Sequence, residues 1–252
     1  MRTYGLVIVG DEILRGKRPD KHLAKFIEML GARDLHLSWV QYLGDERTRL
    51  IDVFRHTLAS GDVVFSCGGI GVTPDDHTRQ AAAAAAGVSL ELNREAEREI
   101  RARMAEMGQE ATPARLELGT LPVGSRIIPN PFNRIPGFSL RDHHFLPGFP
   151  QMAWPMAEWA LDTYYADDFC RNAETEAAIL VWDGLEGTLL DLMRKTEADF
   201  PGVKVFSLPS FGSEMVRRHV ELGVRGEAQA VARAIEVLEA GVVALGYRYD
   251  AR

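Results

Sequence analysis

The chain has 252 residues and a formal net charge of −7, with 46% hydrophobic and 26% charged residues. That supplies core material for one large or two modest domains, and the acidic balance argues against nucleic-acid binding, which needs a basic footprint. No apolar run approaches the ~20 residues of a membrane-spanning helix, the N-terminus MRTYGLVIVGDEIL turns charged too early for a signal peptide, and Cys67 and Cys170 have no metal-type spacing, so the expected setting is cytoplasmic.

Tyr4–Val9 (YGLVIV) is a continuous apolar run, as in a strand covered on both faces. Asp20–Leu30 has helical apolar spacing, an Asp cap and a stop at Gly31. Leu35–Leu43 reads as a strand, Asp45–Leu58 as a helix with Leu50, Ile51, Phe54 and Leu58 on one face, and Val63–Phe65 as a third strand. The helix expected over Asp76–Ala86 contains six consecutive alanines, the strongest helix formers. Strands alternating with helices predict parallel pairing through right-handed crossovers, hence a three-layer α/β/α domain with a mostly parallel sheet. A charged helix over Leu90–Met107 should lie outside the sheet. The Pro- and Gly-rich stretch that follows has room for short strands at Arg126–Ile128, Gly137–Leu140 and His143–Leu146, and a helix over Trp154–Tyr165 closes the domain.

The remainder reads as strand Glu174–Trp182, helix Leu185–Glu197, strands Val203–Leu208 and Glu214–Val224, helix Glu227–Ala240 and strand Val242–Tyr247. This βαββαβ order predicts a small ferredoxin-like α+β domain. The polar stretch Asp168–Ala173 is the natural boundary, giving domains over 1–168 and 174–252.

Open parallel sheets bind ligands at the carboxyl ends of their strands. Two loops there carry suitable residues: GDEILRG (Gly10–Gly16) and SCGGIGVTPDDHTRQA (Ser66–Ala81). Gly68, Gly69 and Gly71 can take positive φ and offer backbone N–H groups to an anion. The helix starting near Asp76 adds its dipole, and Thr73 a hydroxyl, so the loop is a candidate phosphate cradle. The adjacent carboxylates have two readings. Asp75 or Asp76 caps the helix, or one of them, with Asp11 or Glu12, holds a hard divalent cation that offsets ligand phosphates. The basic run Arg15–Arg18 borders the same crevice, as a solvated loop or as an attractor of anions. Cys67 reads as a small apolar filler rather than a nucleophile. His143 and His144, adjacent on a strand, should point to opposite faces and share no ion.

GDEIL at Gly10–Leu14, GGIGVTPDDHT at Gly68–Thr78 and LPGFP at Leu146–Pro150 occur in that order and together resemble the molybdenum-cofactor-biosynthesis (MoCF) fold family. The resemblance is to the domain at the N-terminus of CinA, the competence/damage-inducible protein. The tail from Glu174 resembles the second subdomain of that region, and no counterpart of the CinA deamidase domain is expected in these residues. The resemblance implies a molybdopterin or nucleotide-like small-molecule ligand and a homo-oligomer. It also implies metal-dependent hydrolysis of ADP-ribose-type, or FAD-like, nucleotide pyrophosphates with Mg, Mn or Co; the alternative is a non-catalytic binder. Carried over by position, ligand contacts fall at Gly10, Asp11, Glu12, Gly68, Gly69, Gly71, Thr73, Asp75, Asp76, Thr78, Pro147 and Gly148. A hydrolase would hold its metal at Asp11 and Asp76, with Glu12 as general base and Asp76 as the second catalytic residue.

The sequence departs from the family pattern at three places. His22 stands where the pattern has Asn, and Val72 where it has Pro, which adds a backbone donor. Asn133, Arg134 and Ile135 replace a glycine, a small residue and an alanine. Asn133 and Arg134 thereby join the expected ligand set; Arg134 either grips a phosphate bidentately or points to solvent.

Overall fold

The computed structural model describes residues 2–169, 175–212 and 216–252. The chain separates into two compact units, Met1–Phe169 and Cys170–Arg252. Cys170 and the expected strand starts Glu174 and Glu214 lie outside the described residues.

The first unit runs β1 (Tyr4–Val9), α1 (Asp11–Leu14), α2 (His22–Gly31), β2 (Leu37–Leu43), α3 (Arg47–Ser60), β3 (Val63–Cys67) and α4 (Thr78–Ala86). It continues through β4 (Leu90–Leu92), α5 (Arg94–Glu106), α6 (Pro113–Leu116), β5 (Thr120–Pro122), β6 (Arg126–Ile128), β7 (Gly137–Leu140), β8 (His143–Leu146) and α7 (Pro150–Tyr164). Its main sheet has the order β2-β1-β3-β8-β7-β6. The first four strands are parallel, β7 pairs antiparallel with β8, and β6 antiparallel with β7. Alternate residues of β1 serve the two faces. Tyr4, Leu6 and Ile8 meet Phe26 and Met29 of α2 and Ala153 and Ala157 of α7, while Val7 and Val9 share the opposite core with Leu50 and Phe54 of α3 and Ala81 and Ala82 of α4. The result is the expected three-layer α/β/α arrangement, and β1 is apolar throughout because neither face reaches water.

Several boundaries differ from the sequence reading. Leu90–Leu92 is a strand, not the start of a helix; it pairs antiparallel with β5, a partner about thirty residues away that local periodicity does not reveal. The helix begins only after Asn93, whose side chain accepts the N–H groups of Glu95 and Ala96. Helix α4 starts at Thr78 rather than Asp76, and neither Asp75 nor Asp76 caps it. Helix α7 starts at Pro150, a favoured first helical position, four residues before the expected Trp154.

The second unit contains β9 (Thr175–Trp182), α8 (Glu186–Asp199), β10 (Lys204–Ser210), β11 (His219–Gly226), α9 (Ala228–Ala244) and β12 (Arg248–Ala251). Its antiparallel sheet has the order β10-β11-β9-β12, the ferredoxin-like pattern. Val242, expected to open the last strand, is instead a buried helical residue packed with Leu189, Leu222 and Leu238. The helix ends in a Schellman turn: Gly246 at φ 83 lets the Tyr247 N–H reach the Val242 carbonyl (3.1 Å) and its own N–H reach that of Val243 (2.9 Å). Among the described residues no helix is long and apolar enough to cross a membrane.

Candidate functional site

Strand β1 lies between β2 and β3, so the crossovers that leave it and return run to opposite sides, and the reversal opens a crevice at the carboxyl ends. The loops after β1, β3 and β8 meet there around a cleft of about 490 Å³. Of the residues expected from the sequence, Gly10, Glu12, Gly68, Gly69, Gly71, Thr73, Asp75, Asp76, Asn133, Pro147 and Gly148 line it. Arg18 of the basic run does too.

The glycine loop is shaped by close approaches. At Gly68 (φ 113) a Cβ would enter the Val9 carbonyl oxygen, and at Gly69 (φ 67) the Thr78 hydroxyl, so both positions require glycine. The Gly68 N–H does not face the cleft, as expected of a cradle donor, but donates to the Leu146 carbonyl at 3.0 Å and belongs to the sheet. By contrast, the N–H groups of Gly69, Ile70, Gly71 and Val72 have no protein acceptor among the described residues.

The Asp76 carboxylate accepts the Thr73 N–H at 2.9 Å and the Thr73 hydroxyl as well, closing the loop on itself instead of capping α4. Thr78, expected at the ligand, is fully buried; its hydroxyl donates to the Gly68 carbonyl (2.9 Å) and its N–H to that of Gly69 (2.9 Å). Arg79, which the sequence reading passed over, lies beneath the loop and is 2% exposed. Its guanidinium donates to the backbone carbonyls of Gly71 (2.7 Å), Thr120 (3.0 Å) and Glu117. The only signal in the sequence is a charged residue heading an alanine helix.

Asp11 does not line the cleft. Its carboxylate pairs with Arg15 at 2.7 Å, and its N–H donates to Asp45 at 2.9 Å, tying the loop after β1 to the turn after β2. Asp45 was missed, yet it faces the cleft. Burial, and after it the charges of Asp11, Glu12 and Asp75, hold its carboxyl above the ordinary value, against the N–H bond from Asp11. The expected metal pair of Asp11 and Asp76 therefore does not fit: the first is turned to Arg15 and the second to Thr73. Among the described residues no three His, Cys, Asp or Glu side chains are clustered to hold an ion.

Arg134 is also placed elsewhere. It is not among the residues lining the cleft; at φ 62 it pairs with Glu99 (2.9 Å) and Glu106 (2.7 Å) on α5, so its guanidinium is held by carboxylates rather than left to solvent. Asn133 lines the cleft, but its side-chain Oδ1 accepts the Ile135 N–H at 2.9 Å and so shapes its own turn. His22 is buried at the head of α2 and donates from Nε2 to the Gly148 carbonyl (3.1 Å), pinning the turn after β8; burial pushes its pKa down and keeps it neutral. Cys67 is buried and its thiol pushed up by burial, as in an inert core cysteine. His143 stacks on Phe145 and meets Phe54, whereas His144 bonds Ser139 (2.8 Å) and Tyr165 (2.6 Å) on the other face.

A doubly wound α/β unit with a glycine loop at its switch point defines the class of folds in which ligands enter the crevice at the carboxyl ends of the strands. Residues 5–165 match the family model described as "Probable molybdopterin binding domain", and the chain belongs to that family. Among curated relatives, a CinA-like protein of Syntrophotalea carbinolica is 33% identical over 153 residues, 59% of this chain and 37% of its own length. A CinA-like protein of Citrifermentans bemidjiense is 36% identical over 150 residues, 56% of this chain and 35% of its own. The chain thus matches little more than a third of the length of these two. A protein of Pyrobaculum arsenaticum is 26% identical over 239 residues, covering 91% of this chain and 90% of its own. Among solved structures, CinA of Thermoplasma acidophilum, described as of unknown function, superposes with a TM-score of 0.57 at 27% identity, covering 64% of this chain and 96% of its own.

Proposed function

We propose that the cleft binds a phosphorylated pterin- or nucleotide-type small molecule, with its phosphoryl group on the glycine loop. The observation that carries this reading is the run of backbone N–H groups from Gly69 to Val72 that have no protein acceptor among the described residues and lie along the cleft wall. Phe149, 56% exposed, and Met152 line the same cleft and offer an apolar surface for a heteroaromatic ring. Arg18 adds a cation at the rim. Membership in a probable molybdopterin-binding family supports the same class of ligand. Calorimetric titration with molybdopterin, ADP-ribose and AMP is the test. At least one should bind wild-type protein, and Gly71→Val should abolish it, because a side chain there would displace Asp76. Folded protein that binds none of the three would end this reading.

One observation favours a second, hydrolytic reading: Glu12, Asp45 and Asp75 all line the cleft, and after burial the charges of Asp11, Glu12 and Asp75 raise the Asp45 carboxyl. A divalent ion carried by a ligand pyrophosphate and its waters, and touching one of these carboxylates, would relieve the repulsion without a three-carboxylate cluster. On this reading ADP-ribose or FAD with Mg²⁺, Mn²⁺ or Co²⁺ releases AMP, and Glu12→Gln does not. Metal-independent binding without AMP release would leave the binding module alone.

A further inference from the structure

The donors of the glycine loop are set from behind. In a trans peptide the C=O of one residue and the N–H of the next point in opposite directions. The Gly68 and Gly69 carbonyls are held by Thr78, and the Gly71 carbonyl by Arg79. Both partners are buried beneath the loop, at 0% and 2% exposure. With these three carbonyls drawn inward, the N–H groups of Gly69, Ile70 and Val72 are turned outward, to the cleft they line.

Arg79 is an unusual means to that end. Its guanidinium has backbone carbonyls as its hydrogen-bond acceptors, no carboxylate pairs with it among the described residues, and its Nε has no partner. A buried cation without an ion pair is expensive, so its place beneath the loop calls for a reason. Val72 supplies one. Unlike a proline, valine keeps its backbone N–H, and the grip of Arg79 on the preceding carbonyl aims it.

We propose that Arg79 is a positioning residue that orients the Gly71–Val72 peptide, making the Val72 N–H a third phosphoryl-binding donor beside those of Gly69 and Ile70. The inference rests on the phosphoryl-binding reading of the cleft and deepens it. The buried charge also favours a dianionic over a neutral group on the loop.

The test uses inorganic pyrophosphate without divalent ions, followed by calorimetry and by the backbone amide signals of the full chain. In wild-type protein the Gly69, Ile70 and Val72 amides should shift on titration. Arg79→Met should weaken binding by about tenfold, the size of one charge-assisted hydrogen bond, with the Val72 shift lost and the Gly69 and Ile70 shifts kept. Arg79→Lys, which can still reach one carbonyl, should recover part of the loss. Val72→Pro, at a position 43% exposed, should weaken binding by a similar factor, and the double variant by little more, since both remove one donor. If Arg79→Met does not fold, Val72→Pro still decides. Wild-type binding that Val72→Pro leaves unchanged overturns the role of Arg79 but not the cleft. No wild-type binding overturns both.

Discussion

Arg79, Thr78, His22, His143 and His144 are all buried in the first unit, whereas in the second, among the described residues, only Thr196 and Glu221 interrupt an otherwise apolar interior. Each buried polar group costs stability unless its partners are supplied by the fold. Of the nine buried polar residues described in the first unit, three hold the loops at the carboxyl ends of β1, β3 and β8: Thr78 and Arg79 hold the glycine loop, and His22 holds the turn at Gly148. Among the described residues of the second unit the core is mostly aliphatic: Ile179, Val181, Leu222 and Val224 pack with Leu189, Val231 and Leu238. The contrast teaches that placing backbone donors at a cleft calls for polar side chains underneath.

The largest expected effect breaks this symmetry with acid. Burial pushes the His144 pKa down to about 3 and that of His143 well below its ordinary value. The unfolded chain takes up both protons near pH 6.5 while the folded unit does not, so stability is complete above that pH and is lost as the pH falls. By pH 5 the loss is about 2 kcal/mol per histidine, about 4 kcal/mol together. The second unit's His219 is only partly buried. Urea unfolding at pH 7 and pH 5, read by amide exchange in each unit, should show β1, β3 and β8 losing protection and β9–β12 holding it. Equal protection of the first unit at both pH values would contradict the assignment of neutral, buried histidines.

Next in size is Leu222→Ala, which empties the centre of the second core and should cost about 3 kcal/mol. Exchange should accelerate across β9–β12, while pyrophosphate binding to the glycine loop keeps its wild-type affinity. A lost affinity would show that the apolar unit contributes to the site.

Much of the contrast is legible in the sequence. YGLVIV and VVF announce buried strands, and GGIG shortly after the second announces a loop too tight for side chains. What sequence does not reveal are partners distant along the chain. Asp76 looks like a helix cap by the local rule, but Pro74 and the tight turn bring Thr73 back to it, and the tertiary loop outcompetes the cap. Arg134 resembles a phosphate ligand until α5 presents Glu99 and Glu106. Arg79 gains its meaning only from the Glu117 and Thr120 carbonyls, which arrive from a later segment. Asp11 and Asp45 become neighbours only because β1 and β2 pair in parallel.

A matched pair of substitutions sharpens the comparison. Thr78→Val removes the donor to the Gly68 carbonyl and leaves that buried oxygen without its hydroxyl, at a cost of about 1 kcal/mol together with weaker pyrophosphate binding. Thr196→Val, in the second unit, removes a hydroxyl that bonds back to the Leu192 carbonyl within its own helix at 2.9 Å. That carbonyl sits within the helix ladder, so the change should be close to neutral and leave binding untouched. Equal effects on binding would show that Thr78 is merely a core residue.

The smallest expected effect separates the two functional readings. Asp45 is held above its ordinary pKa first by burial and then by Asp11, Glu12 and Asp75, so the cleft mouth repels the anion that the glycine loop attracts. Asp45→Asn keeps an oxygen to accept the Asp11 N–H, now 2.9 Å from the carboxylate, and removes one charge. If the cleft binds a phosphate unaided, pyrophosphate affinity without divalent ions should rise about threefold, about 0.7 kcal/mol. Wild-type affinity should also climb as the pH falls through the raised Asp45 value, and the variant should lack that part of the climb. If the carboxylates serve a cation, wild-type binding needs Mg²⁺ and the same substitution weakens it. The sign of one small change therefore tells whether the acidic rim opposes the ligand or helps to hold it.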